Sequence, residues 1–222
     1  MKPLIITIDG PAGTGKSTAA KLLASRLEIP FLDTGAMYRA VAWRCLRNNI
    51  AFDDEKLVAF QTQTLQFDFS NSHLLIDGAD PGEELRTQEV SEAASVIATL
   101  QTVRNLLVDQ QRKLAGVYSL VTEGRDQGTV VFPNATCKFF LTATAQTRAQ
   151  RRWMDLQKTD PAASKEVILK EIQQRDERDR NRKAAPLKPA ADAIVIDNSE
   201  KSLEQVAALL VEHVKQATAS EA

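Results

Sequence analysis

The chain has 222 residues, 43% of them hydrophobic and 26% charged, the composition of a globular chain long enough to bury a sizeable core. Its 28 Lys and Arg are balanced by 29 Asp and Glu, which excludes the basic excess that a duplex-binding protein normally carries. MKPLIITID is too short an apolar run for a signal peptide, and no stretch is long and apolar enough for a membrane span, so a cytoplasmic protein is expected.

Leu4–Asp9 is a short apolar, partly β-branched run ending in a glycine-rich turn, and it reads as a buried strand. Lys16–Leu27 carries apolar residues at helical spacing. A strand over Ile29–Leu32 and a helix over about Ala36–Asn48 follow. Leu65–Leu85 alternates apolar and polar residues around turn signals at Ser70-Asn71 and Asp77-Gly78, the pattern of a small antiparallel insert. Further strands are predicted at Ser119–Thr122, Lys138–Leu141 and Ala193–Ile196. Lys158–Ser164 is a polar break between two charged helices, the place for a lid or a plain surface loop. The last helix starts at Ser202, which forms a capping-box pattern with Gln205. Strands alternating with helices predict an α/β fold, a parallel sheet covered on both faces. Cys45 and Cys137 lie far apart with no metal-ligand spacing and are expected as buried free thiols. His73 and His213 have no evident partner and are expected at surface or structural positions.

Gly10–Ser17, GPAGTGKS, fits G-x-x-x-x-G-K-[ST] between a predicted strand and a predicted helix, the context of a P-loop. Glycines let the backbone fold tightly so that its N–H groups converge on phosphate oxygens. Lys16 is placed to reach the β- and γ-phosphates of ATP, and Ser17 to offer its hydroxyl to Mg²⁺. Asp9 and Glu123, each at a predicted strand end, are alternative carboxylates for metal-bound water. The switch patterns D-x-x-G and N-K-x-D of GTPases do not occur.

The arginines narrow the class. They recur at Arg39, Arg104, Arg125, Arg148, Arg151 and Arg152, and again in RDERDRNR, Arg175 to Arg182. ATP and a nucleoside monophosphate together bring roughly six negative charges against one Mg²⁺, so a phosphotransferase needs several cations close to the transferring group. Arg148 and Arg152 share a helix face by spacing, as do Arg175, Asp179 and Arg182, with Arg178 near them. A run such as RDERDRNR is by itself more often a solvated helix face. No His or Cys occupies a motif and no clear base is evident, which fits an acceptor that is already an anionic phosphate.

Together IDGPAGTGKST, FLDTGAMYRA, LRTQEV, EGRDQGTVVFP, RDERDRNR and APLKPAADAIVID resemble the bacterial cytidylate kinase family, over nearly the whole chain. The resemblance implies a P-loop nucleoside monophosphate kinase fold with three parts. These are a core over about 1–34, 119–147 and 181–222, a monophosphate-binding region over about 35–118 with its β insert at about 65–85, and a short lid over about 148–175. It implies transfer of the γ-phosphoryl of ATP to CMP or dCMP with Mg²⁺, by a monomer that engages neither nucleic acid nor membrane. Carried over by position, it assigns Gly10, Pro11, Ala12, Gly13, Thr14, Gly15, Lys16, Ser17 and Thr18 to the ATP phosphates. Thr34 and Tyr38 would flank the monophosphate, gripped by Arg39, Arg125 and Arg182. Ser95, Arg104 and Asp126 would read cytosine, and Arg175 and Asp179 would hold the ribose. Arg148, Arg151 and Arg152 would close over ATP, with Arg148 and Arg152 among the catalytic arginines. Two departures stand out: Gln127, where the family commonly has Met, with little effect expected, and Thr102, where some members carry a further arginine. The alternatives are another small P-loop kinase, acting on UMP or on a non-nucleotide such as shikimate, and an ATP-dependent switch or RNA-binding module that kept the fold. The expected insert and the Asp126 and Arg104 pair weigh against the first, and the missing switch motifs and balanced charge against the second.

Overall fold

The computed structural model describes residues 3–70, 73–80, 82–157, 160–182 and 184–220. Asn71 of the expected turn, Lys158 and Thr159 of the expected lid break, and the His73 side chain lie outside them.

Five parallel strands form the central sheet: β1 (Ile5–Asp9), β2 (Phe31–Asp33), β5 (Leu120–Gly124), β6 (Cys137–Thr142) and β7 (Ile194–Asp197), in the order β2-β5-β1-β6-β7. The pleat sorts their side chains. In β1, Ile6 and Ile8 join the core built with α1 (Lys16–Leu27) and α8 (Leu203–Ser220), where Leu23 and Leu210 are fully buried. The alternate residues Thr7 and Asp9 are just as buried but polar. In β5, Val121 packs into that same core and Leu120 into the second one, on the other side of the sheet. The second core is made with α2 (Thr34–Arg47), α3 (Glu55–Thr64), α4 (Gln88–Ile97) and α5 (Gln101–Val117), around Met37, Ile97 and Leu107.

The expected boundaries move by a residue or two, for local reasons. The strand predicted from Ile29 starts at Phe31, because Glu28 closes α1 in the left-handed conformation and Pro30 has no N–H to give. The helix predicted from Ala36 starts at Thr34, because the Asp33 side chain accepts the Ala36 N–H at 2.9 Å. The predicted Ser202 and Gln205 box is present: the Ser202 N–H donates to Gln205 Oε1 at 2.9 Å and the Gln205 N–H to Ser202 Oγ at 3.2 Å. The insert is a two-stranded antiparallel ribbon, β3 (Phe67–Ser70) and β4 (His73–Ile76). Asp77 and Gly78 turn with positive φ, as the Asp-Gly signal requires. Helices α6 (Ala145–Leu156) and α7 (Lys165–Asn181) flank the polar break and share a small core of Ala149, Ile168 and Ile172. Cys45 and Cys137 are buried and form no disulfide. The His213 ring lies 6.2 Å from that of Phe139, a structural position. No helix among the described residues is long and apolar enough to cross a membrane.

Candidate active site

The parallel register lines up the carboxyl ends of β1 and β5, with Asp9 opposite Gly124. Beyond them opens a cavity of about 550 Å³, where ligands of open parallel sheets bind. One wall is the P-loop. Gly10 has φ +148°, and a Cβ on it would come within 2.0 Å of the Leu141 carbonyl oxygen, so only glycine can leave β1 here. The loop carbonyls are tied outward. Arg148 donates to the Ala12 carbonyl at 3.0 Å, and Asn198 Nδ2 to that of Thr14 at 2.6 Å. A trans peptide points its N–H opposite its C=O, so these bonds turn the Gly13 and Gly15 amides the other way. Lys16, Ser17, Ala12 and Gly13 line the cavity.

Lys16 Nζ donates to the Pro11 carbonyl at 3.0 Å and lies 3.7 Å from Glu123 Oε2. Burial, and then the Arg125 charge, push this ammonium down to about 7. Ser17 Oγ donates to Glu123 Oε1 at 3.0 Å. Asp9 is committed elsewhere: its two carboxylate oxygens accept the Gln127 and Gly128 amides at 2.9 and 2.8 Å. Burial raises Asp9 to about 6 against those two bonds. Of the two carboxylates that sequence placed near the metal, the structure sets Glu123 beside Ser17 and uses Asp9 to hold a turn.

The facing wall is cationic, and the solvated-face reading of RDERDRNR does not describe it. Arg175, Arg178, Asp179 and Arg182 all line the cavity. Asp179 Oδ2 accepts from Arg125 Nε at 2.9 Å. Burial alone would raise Asp179, yet Arg125 and Arg175 hold it below the usual carboxylate range. The resemblance pairs Asp179 with Arg175 as holders of the ribose; the hydrogen bond that Asp179 accepts comes from Arg125. Burial and the nearby Arg125 lower Arg175 to about 10, still cationic at neutral pH. Asp126 pairs with Arg104, and both are buried. Arg182 Nη2 lies 3.4 Å from Asp126 Oδ1, within ion-pair range, yet makes no hydrogen bond. Arg39 Nη2 donates to Asp33 at 3.1 Å, so the carboxylate that caps α2 also sets this arginine. Arg39 Nε and Arg175 Nε are likewise buried without a partner. Thr34, Tyr38 and Ser95 complete the cluster, with burial raising the Tyr38 hydroxyl to about 12.

Three predicted arginines stand apart from this cavity. Arg148 is 3% exposed and spends its guanidinium on Asp176 and on the Ala12 and Ala143 carbonyls. Arg151 donates to Asn198 Oδ1 and to the Asn198 carbonyl at 3.2 and 2.7 Å. Arg152, four residues after Arg148, is exposed. The shared helix face thus divides into one residue turned inward and one turned out.

A family model described as Cytidylate kinase matches residues 6–216. The chain belongs to the cytidylate kinase family. A cytidylate kinase of Nitratidesulfovibrio vulgaris is 43% identical over 215 residues, covering 95% of this chain and 92% of the relative. One from Clostridioides difficile is 43% identical over 206 residues, covering 93% and 95%. A crystal structure of an uncharacterized protein from Eubacterium ventriosum shares the fold, with a TM-score of 0.54 at 15% identity over 97% of this chain and 99% of that one.

Two structurally committed residues, Asn198 and Asp176, are not singled out by the sequence, and a third, Gln127, carries more than the sequence suggests. Asn198 follows the last parallel strand, and a polar residue at a strand's carboxyl end was the available signal. Asp176 lay in plain view inside RDERDRNR. Gln127, taken as a minor departure, is 2% exposed: its Oε1 accepts from Thr122 Oγ1 at 2.9 Å and its Nε2 donates to Gln111 Oε1 at 3.2 Å.

Proposed function

We propose that this cytidylate kinase transfers the γ-phosphoryl of ATP to CMP or dCMP in the cytoplasm, giving ADP and CDP or dCDP. The observation that carries this reading is a set of guanidinium nitrogens that make no hydrogen bond. Arg39 Nε, Arg175 Nε and Arg182 Nη2 are buried, in side chains that line the same cavity as Lys16. Buried donors without acceptors are costly, so such a cluster fits an anionic ligand that completes it.

In this reading the P-loop amides and Lys16 hold the ATP phosphates, and Thr34, Tyr38, Arg39, Arg125 and Arg182 hold the CMP phosphate. A CMP oxygen forms the new bond to the γ-phosphorus as its bond to the β-phosphate oxygen breaks, with ADP leaving. The acceptor oxygen is already anionic, so no general base is required, and catalysis is positioning and charge stabilisation. Mg²⁺ arriving with ATP would neutralise charge between the β- and γ-phosphates. The pairing of Ser17 Oγ with Glu123 supports these two as its holders, Glu123 through water. Asp126 and Arg104 read cytosine with Ser95, and Asp179 accepts from the ribose. Residues 35–118 form the monophosphate-binding region and 148–175 the lid, around a core of 1–34, 119–147 and 181–222. The test is ADP release with CMP, dCMP, UMP, AMP and shikimate as acceptors. CMP and dCMP should be turned over best; a better turnover of any other acceptor would overturn the reading.

A further inference from the structure

The segment Arg175 to Arg182 contains no apolar side chain. The apolar contacts of α7 to α6 come from Ile168, Leu169 and Ile172, earlier in the helix. The half of α7 that carries Arg175, Asp179 and Arg182 therefore has no hydrophobic anchor of its own, and ionic contacts must place it. The most buried of these is Asp176 with Arg148. Their side chains are 7% and 3% exposed, and the pair is bidentate, at 3.0 Å from Nη1 to Oδ1 and 2.6 Å from Nη2 to Oδ2.

Arg148 does not stop at Asp176. The same Nη1 reaches the Ala12 carbonyl at 3.0 Å, and Nε reaches the Ala143 carbonyl at 3.0 Å. Gly13 has φ +76°, and a Cβ on it would stand 3.2 Å from Arg148 Cβ, so Arg148 lies close against the P-loop and leaves no easy room for a side chain there. Three residues thus join the loop that holds the donor phosphates to the helix that holds the acceptor. The second route between the two walls is longer: Asp9 holds the Gln127 and Gly128 amides, and Arg125 in the same turn holds Asp179.

We infer that Asp176, acting through Arg148, is a positioning residue that couples the two substrates, so that filling the P-loop sets the acceptor arginines of α7 and raises CMP affinity. This rests on the CMP kinase reading above. A buried ion pair is weak evidence for stability, since its desolvation offsets most of its attraction. A bidentate pair with one partner tied to a loop carbonyl is well suited to fixing geometry. Coupling of this kind is reciprocal, so CMP must raise the affinity for ATP by the same factor.

The experiment is calorimetric titration of CMP into the full chain, with and without a saturating non-hydrolysable ATP analogue and Mg²⁺, and the converse titration. In the native protein the analogue should strengthen CMP binding by about fivefold or more, and CMP should do the same for the analogue. In Asp176→Asn the factor should fall to within about twofold of none. Should that variant not fold because Arg148 is left buried and unpaired, Arg148→Met/Asp176→Leu removes both charges together and should fold, with the same loss of coupling. A purely structural role would weaken both ligands in parallel and leave the factor intact. The native factor persisting in the double variant, or both ligands binding the native protein without any coupling, would overturn the inference alone. Failure of CMP to bind the native protein at all would overturn the functional reading and this inference with it.

Discussion

Gly10–Ser17 makes one wall of the cavity from a single run of chain, whereas the facing wall takes Arg39 from α2, Arg104 from α5, Arg125 from the turn after β5 and Arg182 from just past α7. Much of the P-loop is held before any ligand arrives. Its Ala12 and Thr14 carbonyls have donors, and Lys16 has Pro11 and Glu123. The arginine wall is not, since Arg39, Arg175 and Arg182 each keep a buried nitrogen that makes no hydrogen bond. The difference teaches where each side obtains its precision. The P-loop wall gets it from backbone geometry that the fold fixes in advance, and the arginine wall from opposed charges that an anionic ligand would complete in the proposed reaction.

The largest expected effect breaks the preformed wall. Lys16 follows the phosphoryl group into the transition state in the proposed reaction, so Lys16→Met should lower kcat by about 10²–10³-fold, as for loss of one electrostatic contact to developing charge. Near-normal turnover in a folded variant, checked by circular dichroism, would remove Lys16 from that role. On the acceptor wall the expected loss is smaller and falls on one substrate. Arg182→Ala should lower kcat/KM for CMP by about 10–100-fold, the cost of one charge-assisted hydrogen bond, while KM for ATP stays within about threefold. If RDERDRNR were only a solvated face, the same change would shift stability by no more than about 0.5 kcal/mol and leave both kinetic constants alone.

The same contrast explains what the sequence disclosed. The P-loop is contiguous, and its glycines, Lys16 and Ser17 stand at fixed spacing, so it was legible at once and the structure keeps it in place. The strands and helices were legible from their periods, to within a residue or two at their ends, where caps such as Asp33 decide. The arginine wall was legible only as an excess of cations and by resemblance. Which arginine faces the cavity depends on how α6 and α7 dock, and spacing within one helix does not contain that. Arg148 and Arg152 share spacing, yet one is turned into the protein and the other out. Asn198 shows the complementary limit: its place after a strand is visible in the sequence, but its partner Thr14, 184 residues away in the chain, is not.

Base choice sharpens the comparison on the acceptor side. Cytosine offers an amino donor at N4 and an acceptor at N3, and uracil reverses both. The Asp126 carboxylate suits the amino group, and the Arg104 guanidinium suits N3 and the adjoining carbonyl. With UMP, acceptor would face acceptor and donor would face donor, each mismatch costing about 1–3 kcal/mol. The kcat/KM for CMP should therefore exceed that for UMP by at least about tenfold. The ratio should fall toward parity in Arg104→Met and in Asp126→Ala, although the second also releases Arg182. A native enzyme that uses UMP within about threefold of CMP would take base reading away from this pair.

The smallest effect concerns the proton on Lys16. Burial, then the charges of Arg125 and Arg175, lower it from 10.5 to about 7, opposed by Glu123 and Asp179. The free protein at pH 7 therefore holds Lys16 about half neutral. The ATP phosphates favour the ammonium and raise its pKa again. Binding should then take up about half a proton at pH 7, nearly one at pH 8 and almost none at pH 6. Titration of Mg-ATP in two buffers of different ionisation enthalpy measures this directly. The free chain carries the matching signature. Between about 7 and 10.5 an unfolded lysine keeps a proton that the folded one has lost, so this group makes stability rise with pH across that window. Lys16→Arg separates the cause, because a guanidinium stays charged at every pH in question and has no proton to gain. Uptake at pH 8 should vanish in that variant, and its persistence there would assign the proton to another group on the protein or to the nucleotide.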